Sequence, residues 1–171
     1  MTLSSPQAPD LPPLVLERPE DFPLAEALID RAFGPGRYAK AAERLREGNR
    51  LLPELSFVAW SSGELVGCAR VWPVSVGGRP AVFLGPFAVA DDWRSRGLGA
   101  ALIERACEAA EAAGHEAMLL VGDEAYFGRL GFHAVGGITL PGPVDLKRTL
   151  LKRFRGEQPF VGMATPGWNT Q

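Results

Sequence analysis

Arg94-Ser95-Arg96-Gly97-Leu98-Gly99 lies between an apolar run that ends at Val89 and an alanine-rich segment over 100–113, and its reading decides the fold. Two glycines one residue apart let the main chain approach a ligand closely. A helix beginning there turns its unpaired N–H groups and the positive end of its dipole toward the same spot. Arg94 and Arg96 add fixed positive charge, so the stretch predicts a cradle for an anion, and specifically for a pyrophosphate. The loop of nucleotide hydrolases needs Gly-Lys-Ser/Thr after its glycines, whereas Gly99 is followed by Ala100-Ala101-Leu102. A dinucleotide fingerprint needs Gly or Ala where Leu102 stands. The first pattern is not met, and the second is met poorly.

What remains is Arg/Gln-x-x-Gly-x-Gly/Ala, supplied by Arg94, Gly97 and Gly99 between a strand and a helix. In that setting the loop resembles the coenzyme A loop of the GNAT superfamily of N-acetyltransferases. A second motif lies downstream. Ala125-Tyr126-Phe127-Gly128-Arg129-Leu130-Gly131-Phe132 is similar to the family's short helix ending in Gly-Phe, and the apolar run 116–121 between the two motifs has strand length. Leu140-Pro141-Gly142-Pro143-Val144-Asp145 further resembles the YhbS-like branch. The likeness extends with less specificity over 14–155. It implies an α/β (α+β) fold with a mixed, mostly antiparallel sheet of six to seven strands, splayed between strands 4 and 5 and flanked by about four helices. It also implies acetyl-CoA as the acetyl donor, no metal, and direct transfer to an amine of a small molecule, peptide or protein.

The rest of the chain reads as one domain. With 171 residues, 46% of them hydrophobic and 22% charged, it has enough apolar material for a sizeable core. A net charge of −2 gives no basic surplus to hold a nucleic-acid backbone. No apolar run reaches membrane-spanning length and the start lacks a secretory pattern, so no membrane partner and a cytoplasmic location are expected. Cys68 and Cys107 have no metal or redox spacing and read as buried reduced thiols.

Residues 1–13 are rich in proline and serine and read as a flexible leader. The acetyltransferase domain is expected over 14–155, with strands at 14–17, 55–60, 64–74, 81–89, 116–121, 132–140 and 147–155. Helices are expected from Asp21 to Phe33, over 38–46 and over 98–113, the last with a buried stripe of Leu98, Leu102, Ala106, Ala109 and Ala113 and stopped by Gly114. Gly85-Pro86 marks a bulge or an edge in the fourth strand. The tail 156–171 carries Phe160, Val161, Met163 and Trp168. It is expected to dock on its own domain or, in a homodimer, on a second subunit.

By the resemblance, Phe87, Ala88 and Val89 meet the pantetheine arm through their main chains in the manner of an added strand. Arg94, Ser95, Arg96, Gly97, Leu98, Gly99 and Ala100 form the phosphate loop, and Phe127 adjoins the cofactor. The family's usual acid, a tyrosine four residues before the glycine of Gly-Phe, is replaced here by Phe127. Tyr126 is the candidate acid, although a neighbour on a helix points about 100° away. The strand 81–89 lacks the family's glutamate, leaving Asp123 and Glu124 as candidate bases, and each also reads as a helix-starting carboxylate. Asp91 and Asp92 read as turn formers, and His115 and His133 as structural.

Phe33, Arg37 and Tyr38 are candidates to touch the acceptor; packing of the two rings and a solvated Arg37 are the alternatives. Lys147, Arg148, Lys152, Arg153 and Arg155 form a basic cluster, either a solvated face or a site for an acidic acceptor or the adenosine 3'-phosphate. Two other classes stay open. One is a coenzyme A or acyl-CoA binding module with little or no turnover, and the other is an interaction protein.

Overall fold

The structure, a computed structural model, describes residues 10–34, 41–142 and 144–168. In chain order these form β1 (Leu14–Leu16), α1 (Phe22–Phe33), α2 (Ala41–Arg44), β2 (Phe57–Ser61), β3 (Glu64–Val76), β4 (Arg79–Val89), α3 (Leu98–Ala112), β5 (Ala117–Val121), α4 (Glu124–Phe127), β6 (His133–Ala134), β7 (Ile138–Thr139), β8 (Thr149–Arg153) and β9 (Gly162–Pro166). The main sheet runs β1-β2-β3-β4-β5-β8-β6. Its pairs are antiparallel except β4 with β5.

The centre of the sheet is β3, almost wholly buried along its 13 residues. A strand covered on both faces loses the usual alternation and reads as one apolar run, as Leu65 to Val76 does apart from Arg70 and Ser75. One face carries α3, whose Leu98, Leu102, Ile103 and Ala106 pack with Phe57, Ala59, Val66 and Val82. Ala25, Leu28 and Ile29 of α1 cover the opposite face over Val58, Cys68 and Ala88. The buried stripe of α3 drifts from its expected line. It runs through Cys107 to Ala110, while Ala109 is half-buried and Ala113 exposed, because the sheet under the helix is twisted and the contact migrates around it. Gly114, just past the helix at φ +94°, takes the left-handed turn that ends it.

Two expected strands are shorter than their sequence pattern. The run 132–140 is split into β6 and β7, since Gly136 and Gly137, the latter at φ +89°, turn the chain between them. The run 147–155 begins instead with a 3-10 turn over Leu146–Arg148, which Asp145 caps by accepting the Lys147 N–H. The described part of the second helix is Ala41–Arg44. Strand β9 lies beside the far half of β3, with Val76 opposite Ala164, and also pairs with β7. Trp168 follows it, donating its indole N–H to the Ala81 carbonyl at 2.8 Å and stacking on His115.

The sequence did not mark Arg70 as special. Its guanidinium is fully buried between α1 and the sheet, donating to Glu17 Oε1 at 2.8 Å and to Glu26, beneath the Phe22 ring. Both cysteines are buried and free, and burial pushes the Cys68 thiol up to about 12 and the Cys107 thiol up to about 11. No described helix is long and apolar enough to cross a membrane.

Candidate active site

The site follows from a failure of strand pairing. Strands β4 and β5 share two pairs, Val82 with Met118 and Phe83 with Leu119, and then separate. A bulge in β4 accompanies the separation. Ala69 pairs with Phe87 and Val71 with Leu84, so Gly85 and Pro86 together face the single residue Arg70. The Phe127 ring fills the base of the gap, edge-on to Phe87 at 5.6 Å and to Phe132 at 6.3 Å. It lies directly over Gly122, where a Cβ would stand 2.3 Å from its Cε2.

Two cavities open from this gap. The first, of about 820 Å³, runs along Phe87, Ala88 and Val89 to Arg94, Ser95, Gly97, Leu98, Gly99 and Ala100. Ser95 at φ +61° and Gly97 at φ +87° wrap the loop tightly before α3. The first helical bond of α3 is Ala101 N–H to the Gly97 carbonyl at 3.1 Å, so the amides of Leu98, Gly99 and Ala100 precede the hydrogen-bonded turn. Arg94 stays at the mouth with Nε 3.3 Å from Asp91. Arg96 does not line the cavity and instead stacks on the Trp93 ring at 3.8 Å. Trp93, Glu104, Arg129 and Leu130 complete the wall, none of them singled out from the sequence. Trp93 follows Asp91 and Asp92 in a 3-10 turn, and that turn was the available signal.

The second cavity, of about 640 Å³, lies on the side of α1 and α2 and is lined largely by apolar groups, including Phe33, Phe83, Pro86, Leu120 and Phe127. Phe33, Phe87 and Tyr126 line both cavities and form the partition between them. The Tyr126 hydroxyl lies 3.6 Å from where a Cβ on Gly99 would stand, so it reaches into the first cavity. Phe127 faces the second cavity.

Of the two candidate carboxylates, Asp123 lines the second cavity and accepts the Ala125 N–H at 3.1 Å, capping α4. Glu124 lines neither cavity, and its carboxylate is 3.2 Å from exposed His133 Nδ1. Arg37 and Tyr38 lie outside the described residues. Arg46, Val144, Asp145 and Arg148 also line the second cavity. Only the basic run at 147–155 had hinted at Arg148. His115 is far from the gap on the end of the sheet held by Trp168, and burial there lowers its pKa below the ordinary histidine value.

The sequence model of the acetyltransferase (GNAT) family matches residues 22–136. The uncharacterized N-acetyltransferase YhbS of Escherichia coli K12 is 32% identical over 120 residues, which cover 68% of this chain and 71% of the relative. A crystal structure of Escherichia coli YhbS in complex with CoA superposes with a TM-score of 0.77 at 25% identity, covering 96% of this chain and 93% of that one. A Brucella melitensis GNAT family acetyltransferase crystallised with acetyl-CoA gives 0.68 at 24% identity, with 90% and 94% covered, and bears on the fold alone. The bulged β4, its parting from β5 and the glycine loop at the head of α3 agree with these matches: the chain belongs to the GNAT family of N-acetyltransferases.

Proposed function

We propose that the chain moves an acetyl group from acetyl-CoA directly to a primary amine of a small molecule, peptide or protein, in the cytoplasm. The observation that carries this reading is a pair of cavities meeting at a single partition, one with a phosphate-type loop at its far end and the other with an apolar wall. The loop residues suit a pyrophosphate. Among the described residues, and apart from Gly97's immediate neighbours and nearby helix backbone, no heavy atom lies within 4 Å of where a Cβ on Gly97 would stand, so that backbone is open to approach. Among the described residues the β5-facing edge of β4 beyond Phe83 has no strand partner, which leaves it able to pair with an extended arm. In this proposal Phe87, Ala88 and Val89 hold that arm, and Arg94 through Ala100 hold the phosphates.

Acetyl-CoA supplies an activated thioester with a good leaving group. The chain must then orient the amine, accept its proton and exclude water. Asp123 is proposed as the proton acceptor, because its carboxylate lines the acceptor side while Glu124 is turned to His133. Of the three partition residues, Tyr126 alone carries a dissociable proton, and it is proposed as the acid. A second reading, coenzyme A binding with little turnover, draws on Phe127 standing where the family usually has tyrosine.

Calorimetric titration with acetyl-CoA, CoA and ATP tests the cofactor assignment. Micromolar-range binding of both CoA species and none of ATP is expected, and failure to bind CoA would remove the reading. An amine panel scored by CoA release then separates turnover from mere binding. Tyr126→Phe should lower turnover with acetyl-CoA affinity retained; equal rates would return Tyr126 to a packing role.

A further inference from the structure

The acceptor-side cavity carries information about its occupant beyond its size. About 640 Å³ suits a small molecule, and Phe33, Phe83, Pro86, Leu120 and Val144 offer it an apolar body site. Among the described residues, four charged side chains also line the cavity: Arg46, Asp123, Asp145 and Arg148. Three of them are engaged. Arg46 is 2.5 Å from Glu43, and Asp123 and Asp145 each use one carboxylate oxygen to accept an N–H of their own turn, at 3.1 and 3.0 Å. Arg148 is exposed, and among the described residues its guanidinium has neither an ion pair nor a hydrogen bond.

The surrounding basic cluster sorts the same way. Lys152 Nζ donates to the Leu130 carbonyl at 2.8 Å, Arg153 Nη2 to Gln158 at 2.8 Å and Arg155 Nη2 to Glu111 at 2.5 Å, so these three cations are held to main chain. Lys147 does not line the cavity. Arg148 is therefore the cation that the cluster contributes to the site. Its main chain is held from behind, since its carbonyl accepts the Gly122 N–H at 2.9 Å, at the end of β5 where the strands have parted.

We propose that the acceptor is an aminocarboxylate with an apolar body, its carboxylate held by Arg148 and its ammonium drawn to the Asp123 and Asp145 side. The proposal rests on the acetyltransferase reading and names the substrate class. A guanidinium is the preferred partner of a carboxylate because its parallel N–H groups match the two oxygens. A polyamine could meet Asp123 and Asp145 but would carry no group for Arg148 to hold. A purely apolar amine would leave Arg148 to water and draw no affinity from it.

The test is calorimetry on the CoA-saturated protein with two probe pairs: 4-(aminomethyl)benzoate against benzylamine, and phenylalanine against phenethylamine. In at least one pair the carboxylated amine should bind about ten- to a hundredfold more tightly, the range for a charge-assisted hydrogen-bonded pair. Arg148→Gln should abolish that preference, and Arg148→Lys should keep part of it, with CoA affinity in each variant reporting that the fold is intact. Equal or weaker binding of the carboxylated member in both pairs, binding of none of the four amines, or a preference that survives in R148Q would overturn the proposal. A protein that takes up no CoA loses the acetyltransferase reading and this proposal with it. One that takes up CoA but shows no carboxylate preference loses this proposal alone.

Discussion

Gly122→Ala adds one methyl group at the point where the sheet opens. Its Cβ would stand 2.3 Å from Phe127 Cε2, 2.7 Å from Cδ2 and 3.1 Å from Leu120 Cδ1. Unstrained carbon contacts begin near 3.5 Å, so the ring must retreat by roughly 1.2 Å from the shortest of these. The ring has little room to do so, because Phe127 is only 6% exposed and is packed edge-on against Phe87, Tyr126 and Phe132. Overpacking of this kind costs about 1–3 kcal/mol. In a chain of this size each kcal/mol lowers Tm by about 2–4 °C. Urea unfolding followed by circular dichroism would measure the loss. Phe127→Leu in the same background trims the obstructing ring, so the double variant should be less destabilised than the sum of the singles by about 0.5–3 kcal/mol. A Gly122→Ala protein within about 0.5 kcal/mol of the parent, the usual scatter of neutral sites, or strict additivity in the cycle, would show that Phe127 does not sit over Gly122.

Arg70→Ala should cost about 3–5 kcal/mol, because it leaves the buried Glu17 carboxylate without its partner. Replacing the pair together, with Arg70→Met and Glu17→Leu, should recover much of that loss in the same urea assay; equal damage from both variants would contradict a charge-pair origin. For His115, burial holds the folded-state pKa below the ordinary 6.5. As pH falls below 6.5 the unfolded chain takes up a proton that the folded chain resists, so stability drops on the acid side, whereas above that pH the group is neutral in both states and contributes nothing. The parent should therefore lose more stability than His115→Gln between about pH 7.5 and 5.5, and equal losses would refute the assignment. Finally, with thiols raised to about 12 and about 11, Cys68 and Cys107 should be inert to iodoacetamide in the native protein at mildly alkaline pH and both react once it is unfolded. Prompt native labelling would mean that one of them is accessible.

The chain announces the cavity proposed for the donor and is nearly silent about the one proposed for the acceptor, for a physical reason. Gripping a phosphate with backbone requires special φ values and an exposed helix start. Gly97 at the head of an alanine-rich helix and Gly99 in its first turn are the local trace of that requirement, and Gly85-Pro86 is the local trace of the bulge. Acceptor walls need only a suitable surface at a meeting point of distant segments. Pro86, Val144 and Arg148 come together through the sheet, and no spacing in the chain foretells it. Arg70 illustrates the same limit, since its partners Glu17 and Glu26 are brought to it by tertiary packing. The carboxylate pair Asp123-Glu124 was legible as a helix start, but which of the two faced the gap depended on His133, from a later strand. The split of 132–140 into two short strands is set by Gly136-Gly137, whose turn the apolar residues on either side mask in the sequence.

The shared partition of Phe33, Phe87 and Tyr126 has an evolutionary corollary. Because the two compartments touch through so few side chains, the residues that set one preference are almost entirely different from those that set the other. Under the proposed assignment, change at Ala41, Ala42, Val144 or Arg148, which line the second cavity alone, would alter the acceptor without touching the residues that line the first. On the proposed assignment, a shared glycine loop would therefore say nothing about the amine, since none of its residues lines the second cavity.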